Sequence, residues 1–290
     1  MPESVRVTAP ASSANLGPGF DALAVALEFR NEVEVVRKGD GPPVVHAVGE
    51  GEGEAPTGPD NLFVRAFEAA GGNSRGLDVW MKNRIPFARG LGSSAATIAA
   101  GLVAARAMGA DGPGDLLSVA AALEGHPDNV AAALNGGLTL AWTSADGPKA
   151  IGFGTPAVAF VVVIPEQRLS TEAARAALPE TVPHADAVHN AARMGLLVAA
   201  LGSGDGHLLT EALDDRLHEP YRAPLVPLLG SVRERLGGLP VYGATLSGAG
   251  PSVLVWCEPG SELQVARTLD RLPDCAARVA AVADHGATAG

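Results

Sequence analysis

The stretch PFARGLGSSAAT, residues 86–97, constrains this chain more than any other. It sets Gly90, Gly92 and the small Ala88 directly before two serines and an alanine-rich run. In that run Ala95, Ile98, Ala99 and Leu102 recur at helical spacing. A loop without bulky side chains in front of a helix lets a ligand approach the backbone, because glycine admits positive φ and carries no Cβ. The helix N-terminus then offers unpaired amides and about half a positive charge to an anion. Ser93 and Ser94 are placed to cap the helix, to donate to phosphate oxygens or to ligate a magnesium ion. The stretch is not a Walker A loop, which requires Gly-Lys-Ser/Thr, nor the dinucleotide fingerprint G-x-G-x-x-G. Taken alone, it also suits an ordinary glycine-rich turn with a serine cap.

Three other segments concentrate glycine with polar groups. APASSANLGPGFDALAVAL (9–27) sets Asn15 and Asp21 around a Gly-Pro-Gly turn. Turn chemistry alone accounts for these residues, and a carboxylate at Asp21 also suits an ammonium group. TLSGAGPSVLVW (245–256) reads as a hairpin loop. In EGHPDNVAAALNGG (124–137), Glu124 ends an apolar-faced helix, and His126, Asp128 and Asn129 crowd the turn that follows. So many reactive side chains exceed what a turn needs, and loops on a rigid scaffold commonly carry catalytic groups. His126 has no second histidine at ligand spacing, which favours a hydrogen-bonded histidine over a metal ligand.

Strand patterns are predicted at 5–11, 31–38, 77–85, 136–142 and 157–164. Helices are predicted at 60–70, capped by Asp60 or Asn61, at 93–108, and at 114–124, stopped by Gly125 and Pro127. Further helices read at 170–178, 184–202, 205–217 and 224–237. A hairpin over 241–258, a helix at 260–271 and a strand at 277–283 follow. Strands and helices alternate without a regular βαβ rhythm, so the fold class is α+β in two lobes, 1–154 and 155–290.

Composition excludes several classes of function. A formal net charge of −11 argues against binding nucleic acid or an anionic membrane surface. With 47% hydrophobic and 18% charged residues, the chain has a globular balance. Its longest apolar run, AVAFVVVI at 157–164, is strand-sized and well short of the roughly 18 residues of a membrane span. The opening MPESVRVTAPASS lacks the pattern of a secretory signal. Cys257 and Cys275 make neither a disulfide framework nor a structural zinc site, and reduced, buried thiols are expected of a cytoplasmic protein.

In order along the chain, PASSANLGPGFD, P-x-ARGLGSSAA, EGHPDN and LSGAGPS together resemble the signatures of the GHMP kinase superfamily, over nearly the whole sequence. NLGPGFD with HPDN resembles the branch that phosphorylates homoserine, and DDRLHEPYR at 214–222 fits that branch's C-terminal lobe. The resemblance implies a ribosomal protein S5 domain 2-like N-terminal lobe, a ferredoxin-like C-terminal lobe and a cleft between them. It also implies transfer of the ATP γ-phosphate to the side-chain hydroxyl of L-homoserine, with ATP and Mg2+, in a cytoplasmic homodimer.

The site residues that the resemblance carries over fall into groups. Pro86, Phe87, Ala88, Arg89, Gly90, Leu91, Gly92, Ser93, Ser94, Ala95 and Ala96 would hold ATP, with Asn61 against the nucleoside and amides from Gly90 to Ala96 on the phosphates. Ser94 and Glu124 would hold magnesium. Asn15, Asp21, His126, Asp128, Asn129, Thr171, Arg175, Arg222 and Gly248 would line the amino-acid site. There the carboxylates would face the ammonium and the two guanidinium forks would take the carboxylate. Asn129, Glu124 and Asp128 would carry the chemistry, Asn129 by orienting the attacking hydroxyl. Ala24 and Ala88 depart from the family's pattern of glycine, and Ala88 is expected to adopt an ordinary φ.

Overall fold

In a computed structural model describing residues 3–290, the strands sort into two sheets with helices packed against both. The first half runs β1 (Ser4–Ala14), β2 (Leu23–Arg37), β3 (Val44–Gly49), α1 (Leu62–Ala69), β4 (Leu77–Asn83), α2 (Ser93–Ala107), α3 (Leu116–Glu124), α4 (Asp128–Asn135), β5 (Leu138–Ser144) and β6 (Gly147–Gly154). The second half runs β7 (Ala159–Pro165), α5 (Thr171–Ala176), α6 (His184–Ser203), α7 (Gly206–Ala212), α8 (Glu219–Arg222), α9 (Pro227–Arg235), β8 (Val241–Leu246), β9 (Val253–Cys257), α10 (Glu262–Leu269), β10 (Cys275–Ala280) and β11 (Thr288–Ala289).

The first sheet has the order β11-β1-β2-β4-β3, with β5 joining β2 and β6 joining β5. β2 is far longer than its predicted strand: the apolar run after the Gly-Pro-Gly turn is strand as well, paired in register with Ala11–Ala14 of β1. β3 and β4 pair in parallel with α1 between them. One βαβ unit therefore exists where no such rhythm was expected, because β3 is short and half-exposed and carries little signal. The end of the chain returns to this sheet through β11 on β1 and a bridge between Leu27 and Val282.

α2 is not the amphipathic helix that its spacing suggests. Ala95–Ala100 and Ala104–Ala105 are buried together with Ile98 and Leu102, so the helix is covered nearly all round. Alanine allows this, since its small side chain permits close approach by α1, β1 and α4 together. α1 begins where Asn61 Oδ1 accepts from the Phe63 amide, and α3 where Asp115 accepts from Leu117 and Ser118.

The second sheet, β10-β7-β9-β8, is antiparallel. Its two central strands are buried on both faces, and the period-2 alternation divides their side chains between two cores. Phe160, Val162, Leu254 and Trp256 join the large core, while Val161, Val163, Val253 and Val255 pack with Leu229, Val232, Val265 and Leu269. Trp256 meets Phe160 edge-on at 5.0 Å between ring centroids, and its indole donates to Thr245 Oγ1 at 3.1 Å. Among the described residues no helix is long and apolar enough to cross a membrane. Cys257 and Cys275 are free; Cys257 is buried and Cys275 only half-buried.

Candidate active site

A cleft of about 430 Å³ opens between the two sheets' loops, and nearly all the residues singled out in the sequence line it. Its floor is the start of α2. Gly92 caps this helix in the left-handed region, at φ 65°, and makes no side-chain capping bond. The expected serine cap is therefore absent. The first intrahelical bond runs from the Ala96 amide to Gly92 O at 2.9 Å. The amides of Ser93, Ser94 and Ala95 thus have no acceptor within the helix, whereas that of Ala96 is already committed. Ala95 and Ala96 are buried behind the floor and do not line the cleft. A Cβ on Gly92 would overlap Ser12 Oγ and come within 3.2 Å of Asn129 Oδ1.

The loop before α2 is clamped on both sides. Ala88 adopts φ 52°, contrary to the ordinary φ expected of it. Its strained conformation is held by the Leu169 amide, which donates to Ala88 O at 3.0 Å. Arg89 donates to Pro165 O, Phe87 O and Glu166 O at 2.9–3.0 Å, so its guanidinium staples the loop to the end of β7. From the other side, Ser247 Oγ donates to Gly90 O at 2.7 Å. Residues 247–252 are the loop of the β8–β9 hairpin, and they also buttress the loop at 86–92. Gly248 O accepts from the Asn15 side-chain amide at 2.7 Å.

On one wall, Ser94 Oγ donates to Glu124 Oε1 at 2.6 Å. Burial pushes the Glu124 carboxyl above its ordinary range, with the Ser94 hydrogen bond and His126 opposing. Among the described residues no basic side chain forms an ion pair with Glu124. Asp128, only 1% exposed, accepts from its neighbour's amide, Asn129 N, at 2.7 Å and pairs with His126 Nδ1 at 2.9 Å. That bond raises the His126 pKa against the effect of burial. Asp128 begins α4, so the polar cluster ends in a helix where the sequence pattern suggests a turn. Asn129 Oδ1 accepts from Ser12 Oγ at 2.8 Å.

The opposite wall is cationic. Arg175, in the last turn of α5, pairs with both oxygens of Asp21 at 3.1 and 2.8 Å, which holds its pKa above the usual value. Arg222 lies 1% exposed, and among the described residues it has no carboxylate partner. Its Nε donates to Ala174 O at 3.2 Å and its Nη1 to His218 Nδ1 at 3.1 Å. Burial and the neighbouring Arg175 lower its pKa. Thr171 lines this wall beside Arg175.

At the far end Asn61 lies in the wall, but its amide is already engaged, accepting from Phe63 N and donating to Pro56 O at 2.7 Å. Sequence reasoning missed the rest of this end: Pro56, Leu62, Met81 and Asn83, and the pair Glu54–Arg168, joined across the mouth at 2.7 and 2.8 Å. No local motif marks these residues: the βαβ unit brings Glu54, Pro56, Leu62, Met81 and Asn83 together, and Arg168 reaches them from the segment after β7.

The GHMP kinases N terminal domain family matches residues 61–137, and the GHMP kinases C terminal family matches residues 197–274. Homoserine kinase of Streptomyces avermitilis is 47% identical over 276 residues, covering 91% of this chain and 89% of that protein. Homoserine kinase of Moorella thermoacetica is 41% identical, covering 87% and 86%. The crystal structure of homoserine kinase from Cytophaga hutchinsonii superposes with a TM-score of 0.88 at 26% identity, covering 100% of this chain and 98% of that one. A mevalonate kinase shares the fold at a TM-score of 0.71 and 13% identity. The family matches take in the start of α2 and the residues Glu124 to Asn129 in the first and Arg222 in the second, and the chain belongs to the GHMP kinases and, within them, to the homoserine kinases.

Proposed function

We propose that this chain transfers the γ-phosphate of ATP to the side-chain hydroxyl of L-homoserine, yielding O-phospho-L-homoserine for threonine biosynthesis. One observation carries the reading. A helix N-terminus with a serine–glutamate pair faces, across a single cleft, a buried arginine that has no carboxylate partner among the described residues. The first end suits a polyphosphate and the second a small carboxylate.

The free amides of Ser93 and Ser94 supply the phosphate contacts, and the Ser93 hydroxyl, buried and without a partner among the described residues, is a further donor. Ser94 and Glu124 fit a magnesium ion: both offer hard oxygen ligands, and Glu124 is a half-buried carboxylate with no basic ion-pair partner among the described residues. Two protein ligands leave the remaining positions to phosphate oxygens and water, as magnesium prefers. When bound, the metal would neutralise charge on the transferring phosphate.

Phosphoryl transfer asks chiefly for alignment and electrostatic stabilisation. Asn129, fixed by Ser12, orients the attacking hydroxyl toward the phosphate. Asp128 takes the substrate ammonium, which makes it a poor base, so the hydroxyl proton leaves late. Arg222 takes the α-carboxylate, with Arg175, Asp21, Asn15 and Thr171 completing the pocket. Residues 1–154 then form the nucleotide lobe and 155–290 the second lobe. A cytoplasmic homodimer belongs to the same proposal; the free thiols fit a reducing compartment, and sedimentation measures the dimer.

A coupled assay for ADP release with homoserine, serine, mevalonate and shikimate tests the assignment. Homoserine is expected to give the highest kcat/KM by at least tenfold, and preference for any other alcohol would overturn the reading.

A further inference from the structure

One buried histidine has no part in the chemistry above. His218 is 0% exposed at the N-cap of α8, where a leucine would pack without any polar group to satisfy. Both ring nitrogens are engaged. Nε2 donates to Gly17 O at 2.9 Å, and Nδ1 accepts from Arg222 Nη1 at 3.1 Å. This pattern requires the neutral ring with its proton on Nε2. The nearest carboxylate oxygen, Asp215 Oδ2, lies 3.7 Å from Nε2 and is occupied by the amides of His218 and Glu219 at 2.9 and 2.7 Å. The ring also stacks on Phe20 at 5.1 Å, and the Arg222 guanidinium lies 5.3 Å from the same Phe20 ring.

We infer that His218 is a positioning residue for the acceptor pocket: its neutral imidazole aims the Arg222 guanidinium into the cleft and, through Gly17 and Phe20, holds the loop carrying Asn15 and Asp21 in register with it. Arg222 and the loop carrying Asn15 and Asp21, both assigned to the acceptor pocket, come from different parts of the chain, and this ring touches both. Asn15, Leu16, Gly17 and Asp21 all have positive φ, so the loop needs such outside anchors to keep its form. Asn190 supplies a second one, donating to Pro18 O at 3.3 Å while it also holds Asp215 at 2.9 Å. The inference rests on the proposed acceptor site and assigns its geometry to a residue that touches no substrate.

The test is steady-state kinetics on the full chain carrying His218→Gln, His218→Leu, Arg222→Met or the double change His218→Leu/Arg222→Met. Glutamine keeps a donor for Gly17, but its acceptor oxygen branches from the same carbon as that donor and no longer sits at the Nδ1 position set against Arg222; leucine loses both. KM for homoserine is expected to rise about tenfold in His218→Gln and further in His218→Leu, the scale of one lost hydrogen bond to a charged group. KM for ATP should stay within twofold. The double variant should fall short of the sum of the two single effects, because the histidine acts in part through that arginine. Should His218→Leu fail to fold by circular dichroism, His218→Gln decides alone.

An unchanged KM for homoserine, a parallel rise in KM for ATP, or additive effects in the double variant would each overturn the inference. Absence of homoserine turnover by the unaltered chain would instead defeat the proposed function. The His218 variants would then be compared on whichever alcohol is phosphorylated, with an unchanged acceptor KM again decisive against the inference.

Discussion

Gly90→Ala is the substitution on which the account of the clamped loop stands most exposed. Gly90 sits at φ 71°, and a Cβ placed there lies 2.7 Å from Gly250 O and closer still to Ser247 O, where ordinary contacts begin near 3.4 Å. Both neighbours are backbone, so no side chain can swing away. The left-handed conformation costs a non-glycine residue about 1–2 kcal/mol. Forcing the two loops apart adds about 1–3 kcal/mol as overpacking. Losing the bond from Ser247 Oγ to Gly90 O adds about 1 kcal/mol. The expected destabilisation is about 3–6 kcal/mol, a large part of a typical total of about 5–15 kcal/mol. Gly204→Ala is the matched control: Gly204 has φ 72° and nothing within 4 Å of where the added methyl would sit, so only the conformational cost of about 1–2 kcal/mol applies. Urea unfolding followed by circular dichroism reads both, and with a slope of about 2 kcal/mol per molar the Gly90 midpoint should fall by about 1.5–3 M. If the two variants lost stability within about 1 kcal/mol of each other, the close packing of residues 86–92 on 245–252 would be refuted as the loop's support.

The same geometry sets four further expectations. Burial holds the His218 pKa at about 4, with Asp215 opposing and Arg222 reinforcing, so below pH 6.5 the unfolded chain takes up a proton that the folded chain refuses. Stability should therefore fall between pH 6.5 and 4, by at most about 3 kcal/mol, and a thermal-unfolding series should show His218→Gln lacking that component. Glu124→Gln removes a proposed magnesium ligand, and with it a half-buried charge that desolvation disfavours, so turnover should drop at least about a hundredfold while the ligand-free melting temperature does not fall; a lower melting temperature would show that the carboxylate stabilises the fold. Asp128→Asn should raise KM for homoserine with kcat at saturation nearly kept, and a large loss of kcat at unchanged KM would make Asp128 the base. Compounds that keep the hydroxyl but lack either the amino or the carboxylate group should lose at least about tenfold in kcat/KM, and equal turnover of either would refute the two-ended pocket.

What the sequence revealed and what it concealed divide along physical lines. The residues Glu124 to Asn129 stood out because so many reactive side chains exceed what a turn needs, whereas the loop at 86–94 and the Asn15–Asp21 turn also suit ordinary turn chemistry and took their roles from the family resemblance. Arg175 and Arg222 came only with family resemblance, since an arginine at a helix end has no distinguishing pattern of its own. The wall formed by Pro56, Leu62, Met81 and Asn83 was invisible, because β3 and the loop after it carry neither a clear period nor a motif. Ala88 shows the limit of reasoning from residue type. Alanine disfavours a positive φ, yet Leu169 and the Arg89 staple over-determine that position. The serine cap failed for a related reason: Ser94 turns to Glu124, Ser93 has no partner, and Gly92 caps the helix by conformation alone.

The two arginines of the cleft differ in a way that bears on how a zwitterion would bind. Arg175 and Asp21 neutralise each other in the ligand-free protein through a two-point pair that is more than a third exposed on both sides. Such a pair contributes little to stability and exchanges partners cheaply. Arg222 is different: it is buried, lacks a carboxylate, and is held by a carbonyl and a neutral imidazole, neither of which cancels its charge. Burying a cation in that way lowers the stability of the free protein, and an incoming carboxylate relieves the cost. Across the cleft Asp128 is likewise buried, with His126 as its side-chain partner. A zwitterion spanning these two groups would give Arg222 a carboxylate and Asp128 a second cationic partner beside His126 without adding net charge to the site, whereas a sugar hydroxyl would leave Arg222 uncompensated. Selectivity in this pocket would thus arise from the free protein carrying two separated charges that only a ligand of opposite ends can satisfy together.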